Sequence, residues 1–324
     1  MQQLKWGIIG CGDVTEIKSG PAFNKVNGSS LVAVMRRDPV KAEDYARRHG
    51  VPRWYSDAEA LINDPEVNAI YIATPPLQHE AYTEMALAKG KPVYVEKPMT
   101  LNTRSAIRMK AASERYLTKL SVAHYRRQQP MFLKIKELLT EKVIGDVRFV
   151  NLSMFQSPKN ELIANSESNW RMDPAISGGG LFHDLSPHQL DLMIYYFGEV
   201  SYSSGIALNQ TKQHKADDLV TGHILFKNGI VFNGTWCFTV AQGQESDQCD
   251  IIGSGGIISF PMFGNKVSVT IDGQTEDYIF EALAHVQQPM IESVTSYFLG
   301  KGTNPCSADE AIQSMQLLDS FTSS

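Results

Sequence analysis

Along the first 120 or so positions, apolar residues follow two rhythms. Short β-branched or wholly apolar runs at Leu4 to Ile9, Ser30 to Met35, Ala69 to Ala73, Pro92 to Val95 and Lys119 to Ala123 predict strands. Between them, apolar residues recur every three or four positions over Pro39 to His49, Leu77 to Lys89 and Thr103 to Tyr116, which predicts amphipathic helices. Strand and helix in alternation predict βαβ units on a parallel sheet.

After Gln129-Pro130 the rhythm changes. Helical spacing covers Met131 to Lys142 and the stretch around Gln189 to Phe197, with a strand-like run, Val147 to Gln156, between them. Strand-like runs then follow at Tyr202 to Asn209, Leu219 to Phe226, Ile230 to Phe238, Gln248 to Ile252, Gly256 to Pro261, Lys266 to Ile271 and Glu276 to Phe280. Lys227-Asn228-Gly229 and Asp272-Gly273 sit between neighbouring runs and mark antiparallel hairpins. Helical segments at His285 to Leu299 and Ala308 to Phe321 end the pattern, without repeats or low-complexity tracts. The change of rhythm places a domain boundary at His124 to Pro130, giving domains 1–123 and 124–324.

Composition agrees with two globular domains, since 324 residues exceed the roughly 100 to 200 of one domain. Thirty Lys and Arg against 35 Asp and Glu give a net charge of -5, which argues against a nucleic-acid partner. Cys11, Cys237, Cys249 and Cys306 are too scattered for a disulfide framework or a thiolate metal site, so a reducing compartment fits. No signal-peptide pattern opens the sequence, and no run of about 18 apolar residues offers a membrane span. The expectation is a cytoplasmic protein with no membrane partner.

Candidate chemistry begins at the first strand. Gly10-x-Gly12 follows Leu4 to Ile9 and precedes the helix-like Asp13-Val14-Thr15, the arrangement in which a glycine turn lets backbone approach a dinucleotide pyrophosphate. Thr15 stands where a third small residue usually permits close helix packing, so the helix is expected slightly farther out. At the end of the second strand, where an acid would accept from the adenosine ribose, the chain has Arg36-Arg37-Asp38. Guanidinium groups there suit a 2'-phosphate and favour NADP(H) over NAD(H). The alternative leaves both arginines in solvent and gives the ribose to Asp38.

Two further segments carry charge into apolar surroundings: Val93-Tyr94-Val95-Glu96-Lys97-Pro98, and the run from Ser177-Gly178-Gly179-Gly180 through His183, Asp184 and His188 to Asp191. In open α/β sheets ligands gather beyond the carboxyl ends of strands, where Glu96 and Lys97 fall. Spacings of four and three put Asp184, His188 and Asp191 on one helical face, although Pro187 is expected to leave Asp184 on a separate turn before the helix. His183, Asp184, His188 and Asp191 also read as a metal cluster, which hydride chemistry renders unnecessary; no metal is expected. Arg126 and Arg127, at the handover between domains, either reach a ligand or form a solvated linker, the latter preferred for Arg127.

With the Gly10-x-Gly12 turn, Ala73-Thr74-Pro75, Glu96-Lys97-Pro98, Trp170-Arg171, the triple glycine and Asp184-x-x-x-His188-x-x-Asp191, the chain resembles the Gfo/Idh/MocA oxidoreductases along almost its whole length. The resemblance implies an α/β Rossmann domain followed by an α+β domain with a large, mostly antiparallel open sheet often used for oligomer contacts. It implies hydride transfer between NAD(P) and a sugar or polyol, Lys97 touching substrate and nicotinamide, His188 moving the proton, Asp184 lining the site and a cis Lys97-Pro98 bond. Trp170-Arg171 looks most like the 1,5-anhydrofructose reductases. Neutral-range titration suits histidine to proton transfer, and lysine to stabilising an alkoxide.

The candidate catalytic set is therefore Lys97, His188 and Asp184. The cofactor set is Gly10, Gly12, Asp13, Val14, Arg36, Arg37, Thr74, Pro75, His79, Glu96, Lys97, Trp170 and Arg171, with Glu96 read equally as a strand-end charge. The partner is a carbohydrate-like small molecule, and the assembly a homodimer or homotetramer. An NAD-dependent glycosidase and a silent sugar sensor are the competing readings. Substrate choice falls to the loops Pro158 to Trp170 and Ala241 to Asp247.

Overall fold

A computed structural model describes residues 2–158 and 170–322, so 159–169, most of one expected specificity loop, lie outside the described residues. The chain divides into two compact units, Met1–Gln128 with Leu283–Met315 and Gln129–Ala282 with Gln316–Ser324. A cut at 123/124 treats each half as continuous; here the first unit takes back a later segment.

The first unit holds strands β1 (Leu4–Ile9), β2 (Ser29–Met35), β3 (Arg53–Tyr55), β4 (Ala69–Ile72), β5 (Val93–Val95) and β6 (Leu120–Val122). They form a parallel sheet of order β3-β2-β1-β4-β5-β6. Its helices are α1 (Asp13–Ile17), α2 (Pro39–His49), α3 (Ala58–Asn63), α4 (His79–Ala88) and α5 (Thr103–Arg115). Every residue of β4 and β5 is buried, as a parallel sheet covered on both faces requires. The order reverses between β1 and β4, which makes the carboxyl ends of those strands the place where this topology binds ligands. Local chemistry fixes α2: Asp38 caps its N-terminus from Val40 N and Lys41 N, Pro39 opens it, and Gly50 closes it at φ 64°.

The second unit contains α6 (Pro130–Thr140), β7 (Val147–Phe155), α7 (Pro174–Ser177), α8 (Leu181–Phe197) and strands β8 (Val200–Leu208), β9 (Leu219–Phe226), β10 (Val231–Cys237), β11 (Ser246–Gly253), β12 (Ile257–Phe260), β13 (Lys266–Ile271) and β14 (Gln274–Ile279). The sheet order is β14-β13-β12-β11-β7-β10-β9-β8, with β7 and β10 parallel and every other pair antiparallel. Burial alternates along the strands, for instance Val150, Leu152 and Met154 in β7, so one face packs inward. On the other face the register lines up an apolar row of Tyr202, Leu225, Val231, Phe149, Ile252 and Ile257. Beside it runs a polar row, Ser204, His223, Asn233, Asn151, Asp250 and Ser259.

Helices α9 (Gln288–Phe298) and α10 (Ala308–Thr322) follow the sheet. On the inner face of the second sheet, Gly205, Gly222 and Gly234 stand side by side across β8, β9 and β10. A Cβ on Gly222 would come within 2.3 Å of the Phe321 ring, and one on Gly234 within 2.4 Å of the Trp236 ring. This side-chain-free strip is the seat of Phe321, at the end of α10.

Candidate active site

In the first unit the site starts where β1 ends. Gly10 has φ 95°, and a Cβ there would lie 2.8 Å from Thr74 N; only glycine fits. A Cβ on Gly12 meets nothing within 4 Å, so the backbone at that glycine faces open space. The amides of Gly10 and Cys11 both donate to Met35 O, at 2.9 and 3.1 Å, which ties the turn to the end of β2. Asp13, exposed, and Val14 begin the short helix α1. Thr15 is buried, donating through Oγ1 to Gly12 O at 2.8 Å and accepting from the Tyr45 hydroxyl at its carbonyl. The closest approach in this segment falls instead at Gly20, where a Cβ would stand 2.2 Å from the Tyr45 hydroxyl.

The residue after β2 is Arg36, half-buried, whose Nη1 donates to Cys11 O at 3.4 Å and so reaches back over the glycine turn. Arg37 is exposed. Asp38 Oδ1 accepts from two amides of α2, at 3.0 and 3.2 Å, which ties one oxygen of the carboxylate that the alternative reading assigned to the ribose into a helix cap. Burial pushes the Cys11 thiol up to about 12, so it stays protonated within the turn. Thr74 and Pro75 follow β4; the Thr74 Oγ1 is buried without a hydrogen-bond partner among the described residues. An open glycine turn, a free buried hydroxyl beside it and a guanidinium above fit a dinucleotide.

Lys97 lies just beyond β5, half-buried, and the Lys97-Pro98 bond is cis, as the resemblance implied. Two neighbours expected to meet the cofactor are turned inward instead. His79 is fully buried: Nε2 lies 2.7 Å from Thr74 O, and Nδ1 lies 3.1 Å from Pro98 O and 3.3 Å from Met99 O. Burial lowers its pKa, and the ring braces the two loops rather than presenting a nitrogen to a ligand. Glu96 is buried too, with its carboxylate engaged by Tyr71, Gln287 and the Lys97 amide. Arg127 is no solvated linker residue: it is buried and paired with Glu310.

In the second unit, a single turn of helix over Trp170–Met172 presents Arg171. Its guanidinium stacks on Trp170 at 4.5 Å, and Nε donates to Asp184 Oδ2 at 3.0 Å. The three glycines have separate reasons. Gly178 closes α7 at φ 95°, Gly179 leaves room for the His183 ring, and Gly180, at φ 78°, would otherwise strike Ala216 at 2.3 Å.

These glycines start α8 at Leu181, eight residues before the expected helix at Gln189 and with Pro187 inside it, so Asp184 is not on a separate turn. Proline removes one amide donor, the bond to the His183 carbonyl, and the helix continues through it. The Ser186 hydroxyl donates to Phe182 O at 2.6 Å, one turn back. Asp184, His188 and Asp191 therefore share one face, with His188 buried and its ring edge-on to Phe263. His183 points elsewhere, against Gly179, and its burial drives its pKa down to about 4.

Together these features define a nicotinamide-dependent oxidoreductase, with a dinucleotide-binding sheet in one unit and an Asp–His helix in the other. The chain belongs to the Gfo/Idh/MocA family: residues 4–124 match its oxidoreductase domain with NAD-binding Rossmann fold, and residues 132–259 its C-terminal domain. It is 48% identical over 319 residues to "Oxidoreductase P35" of Formosa agariphila, covering 98% of each chain. It is 26% identical to trans-1,2-dihydrobenzene-1,2-diol dehydrogenase of Xenopus laevis, covering 88% of this chain and 83% of that one. In fold it is similar to levoglucosan dehydrogenase in complex with NADH and levoglucosan (TM-score 0.87, 21% identity, 99% of this chain and 96% of that chain). It is also similar to aldose-aldose oxidoreductase of Caulobacter crescentus (TM-score 0.86, 21% identity, 98% and 96%). Among the described residues no helix is long and apolar enough to cross a membrane.

Proposed function

We propose that the chain is an NADP(H)-dependent oxidoreductase that moves a hydride between the nicotinamide and a carbohydrate, cyclitol or related carbonyl or alcohol. The observation that carries the cofactor choice is Arg36, leaning over the glycine turn, beside an Asp38 whose Oδ1 is drawn into the cap of α2. Gly10, Gly12 and Thr74 would hold the pyrophosphate side, and Arg36 with Arg37 the 2'-phosphate. The bound nicotinamide supplies or accepts the hydride. For reduction, an imidazole nitrogen of His188 gives its proton to the carbonyl oxygen as charge develops there, and Lys97 stabilises the alkoxide electrostatically. For oxidation, His188 takes that proton. Asp184, fixed by Arg171 one turn before His188, orients the imidazole or accepts from a substrate hydroxyl. The names of the relatives, a cyclic diol dehydrogenase, a levoglucosan dehydrogenase and an aldose oxidoreductase, favour a ring-bearing polyol or sugar. The exposed apolar row of the second sheet supports a homodimer or homotetramer.

The test is a fluorescence titration with NADPH and NADH side by side. NADPH is expected to bind more tightly, and Arg36→Asp to weaken it by about 10- to 100-fold. Tighter NADH binding by the parent protein returns the ribose to Asp38 and overturns the cofactor reading. In turnover of ketoses and anhydro-sugars, Lys97→Ala and His188→Ala are expected to lose about 10²- to 10⁴-fold while still binding cofactor.

A further inference from the structure

The carboxylate of Glu96 is buried and takes three hydrogen bonds from far apart in the chain. The Tyr71 hydroxyl, in the middle of β4, donates to Oε1 at 2.5 Å. Gln287 Nε2, from the segment that returns to the first unit, donates to the same oxygen at 2.7 Å. The amide of Lys97 donates to Oε2 at 3.1 Å. Among the described residues none of these partners is a cation.

A buried carboxylate without a counter-ion is costly unless its oxygens are saturated with donors, and an apolar side chain would fill the space with less penalty. The arrangement is explained by what the third bond does. The ladder between β4 and β5 reaches its last rung at Glu96, whose amide donates to Ile72 O at 2.9 Å. The next amide, that of Lys97, is taken up by the Glu96 side chain. The Lys97 amide is thus held by a carboxylate whose own position is set by Tyr71 and Gln287. Gln287 is itself anchored, its amide donating to Lys18 O at 3.1 Å just after α1, and Ser19 Oγ lies 3.2 Å from the Tyr71 hydroxyl. The glycine-turn helix, the central strand and the returning segment converge on one carboxylate beside Lys97.

We propose that Tyr71 and Gln287 are positioning residues for Lys97, acting through the Glu96 carboxylate; the functional consequence rests on the catalytic reading of Lys97 above. Tyr71→Phe and Gln287→Leu each remove one donor, and Glu96→Gln keeps the shape without the charge. The first readout needs neither cofactor nor substrate: acylation of Lys97 by an acetyl N-hydroxysuccinimide ester, followed by peptide mass spectrometry against the exposed Lys89. Each variant is expected to raise the relative rate of Lys97 by more than about two-fold, because an unanchored strand end swings its amine into solvent. Tyr71→Phe combined with Glu96→Gln is expected to add nothing to Glu96→Gln alone, since both act through one group. NADPH affinity stays within about two-fold, and kcat on the best ketose or anhydro-sugar falls by about 10-fold with KM little changed.

Lys97 reactivity unchanged in Tyr71→Phe and Gln287→Leu, or effects that add in the double variant, overturns the proposal and leaves the network a core tie. Lys97→Ala that binds NADPH and turns over at full rate overturns the catalytic reading instead, and the labelling result still decides the positioning.

Discussion

The two sheets solve opposite problems with the same amino acids. In the first, β4 reads Ala-Ile-Tyr-Ile and all four side chains are buried, so a hydrophobic run is simply the interior of a layered fold. In the second, Ile206 is 60% exposed and Tyr202 62%, while the inward positions of the same strands carry glycine to admit an aromatic ring. An isoleucine in the covered sheet is thus core, as Ile70 and Ile72 are, whereas in the second sheet it is core on one face, as Ile224 and Ile258 are, and surface on the other, as Ile206 is. What distinguishes them is whether both sides of the strand have a cover. The charged residues of the doubly covered sheet, Lys5 and Arg53, fall within the first two positions of their strands, and the half-covered sheet displays two rows, one apolar and one polar.

The sharpest way to break the contrast is at its densest point. Phe321→Ala, which empties the seat over Gly205 and Gly222, is expected to cost about 3 to 5 kcal/mol, near the cost of a core aromatic truncation. Chemical denaturation measures it, and a loss below about 1 kcal/mol would mean that the glycine strip can collapse. Next is acid. His183, kept neutral by burial, protonates near pH 4 when folded against 6.5 for an ordinary imidazole, so the unfolded chain binds more protons between those values. Stability is complete above about pH 6.5 and falls as the pH drops toward 4, by up to about 3 kcal/mol. His183→Gln is expected to flatten that acid slope in thermal melts at stepped pH. The smallest effect is expected on the open face, where Ile206→Ala stays within about 0.5 kcal/mol, against about 2 to 5 for its control, Ile70→Ala in the buried β4. A large loss from Ile206→Ala, together with a drop in mass by light scattering, would show that the open face is covered by another copy in solution.

How much of this was legible in the sequence depended on how local the cause was. β1, β9 and β13 and helix α2 begin and end where the periodicity places them, because their caps and turns lie within a few residues. β3 and α3 escaped: three residues are too few to show alternation, and six too few to show a helical stripe. For α3 a signal existed in Asp57, which caps the helix by accepting from Ala60 N. The start of α8 is hidden in the sequence because glycine and proline read as breakers. Here the glycines answer to close approaches, and Pro187 removes a single donor. At the site, the glycine turn and the Asp–His spacing could be read from the chain. The inward roles of His79, Glu96 and Arg127 could not, since their partners Pro98, Gln287 and Glu310 are set beside them only by the fold.

The seat of Phe321 also bears on the order in which the chain becomes a protein. During synthesis the second sheet is finished by residue 279, yet its glycine strip stays uncovered until residue 321 has left the ribosome. The first unit likewise lacks Gln287 and α9 until nearly 300 residues have been made. Each unit is thus completed only after the segments that follow the second sheet have been made, and a nascent chain stalled anywhere in that sheet exposes unfinished apolar surface to chaperones.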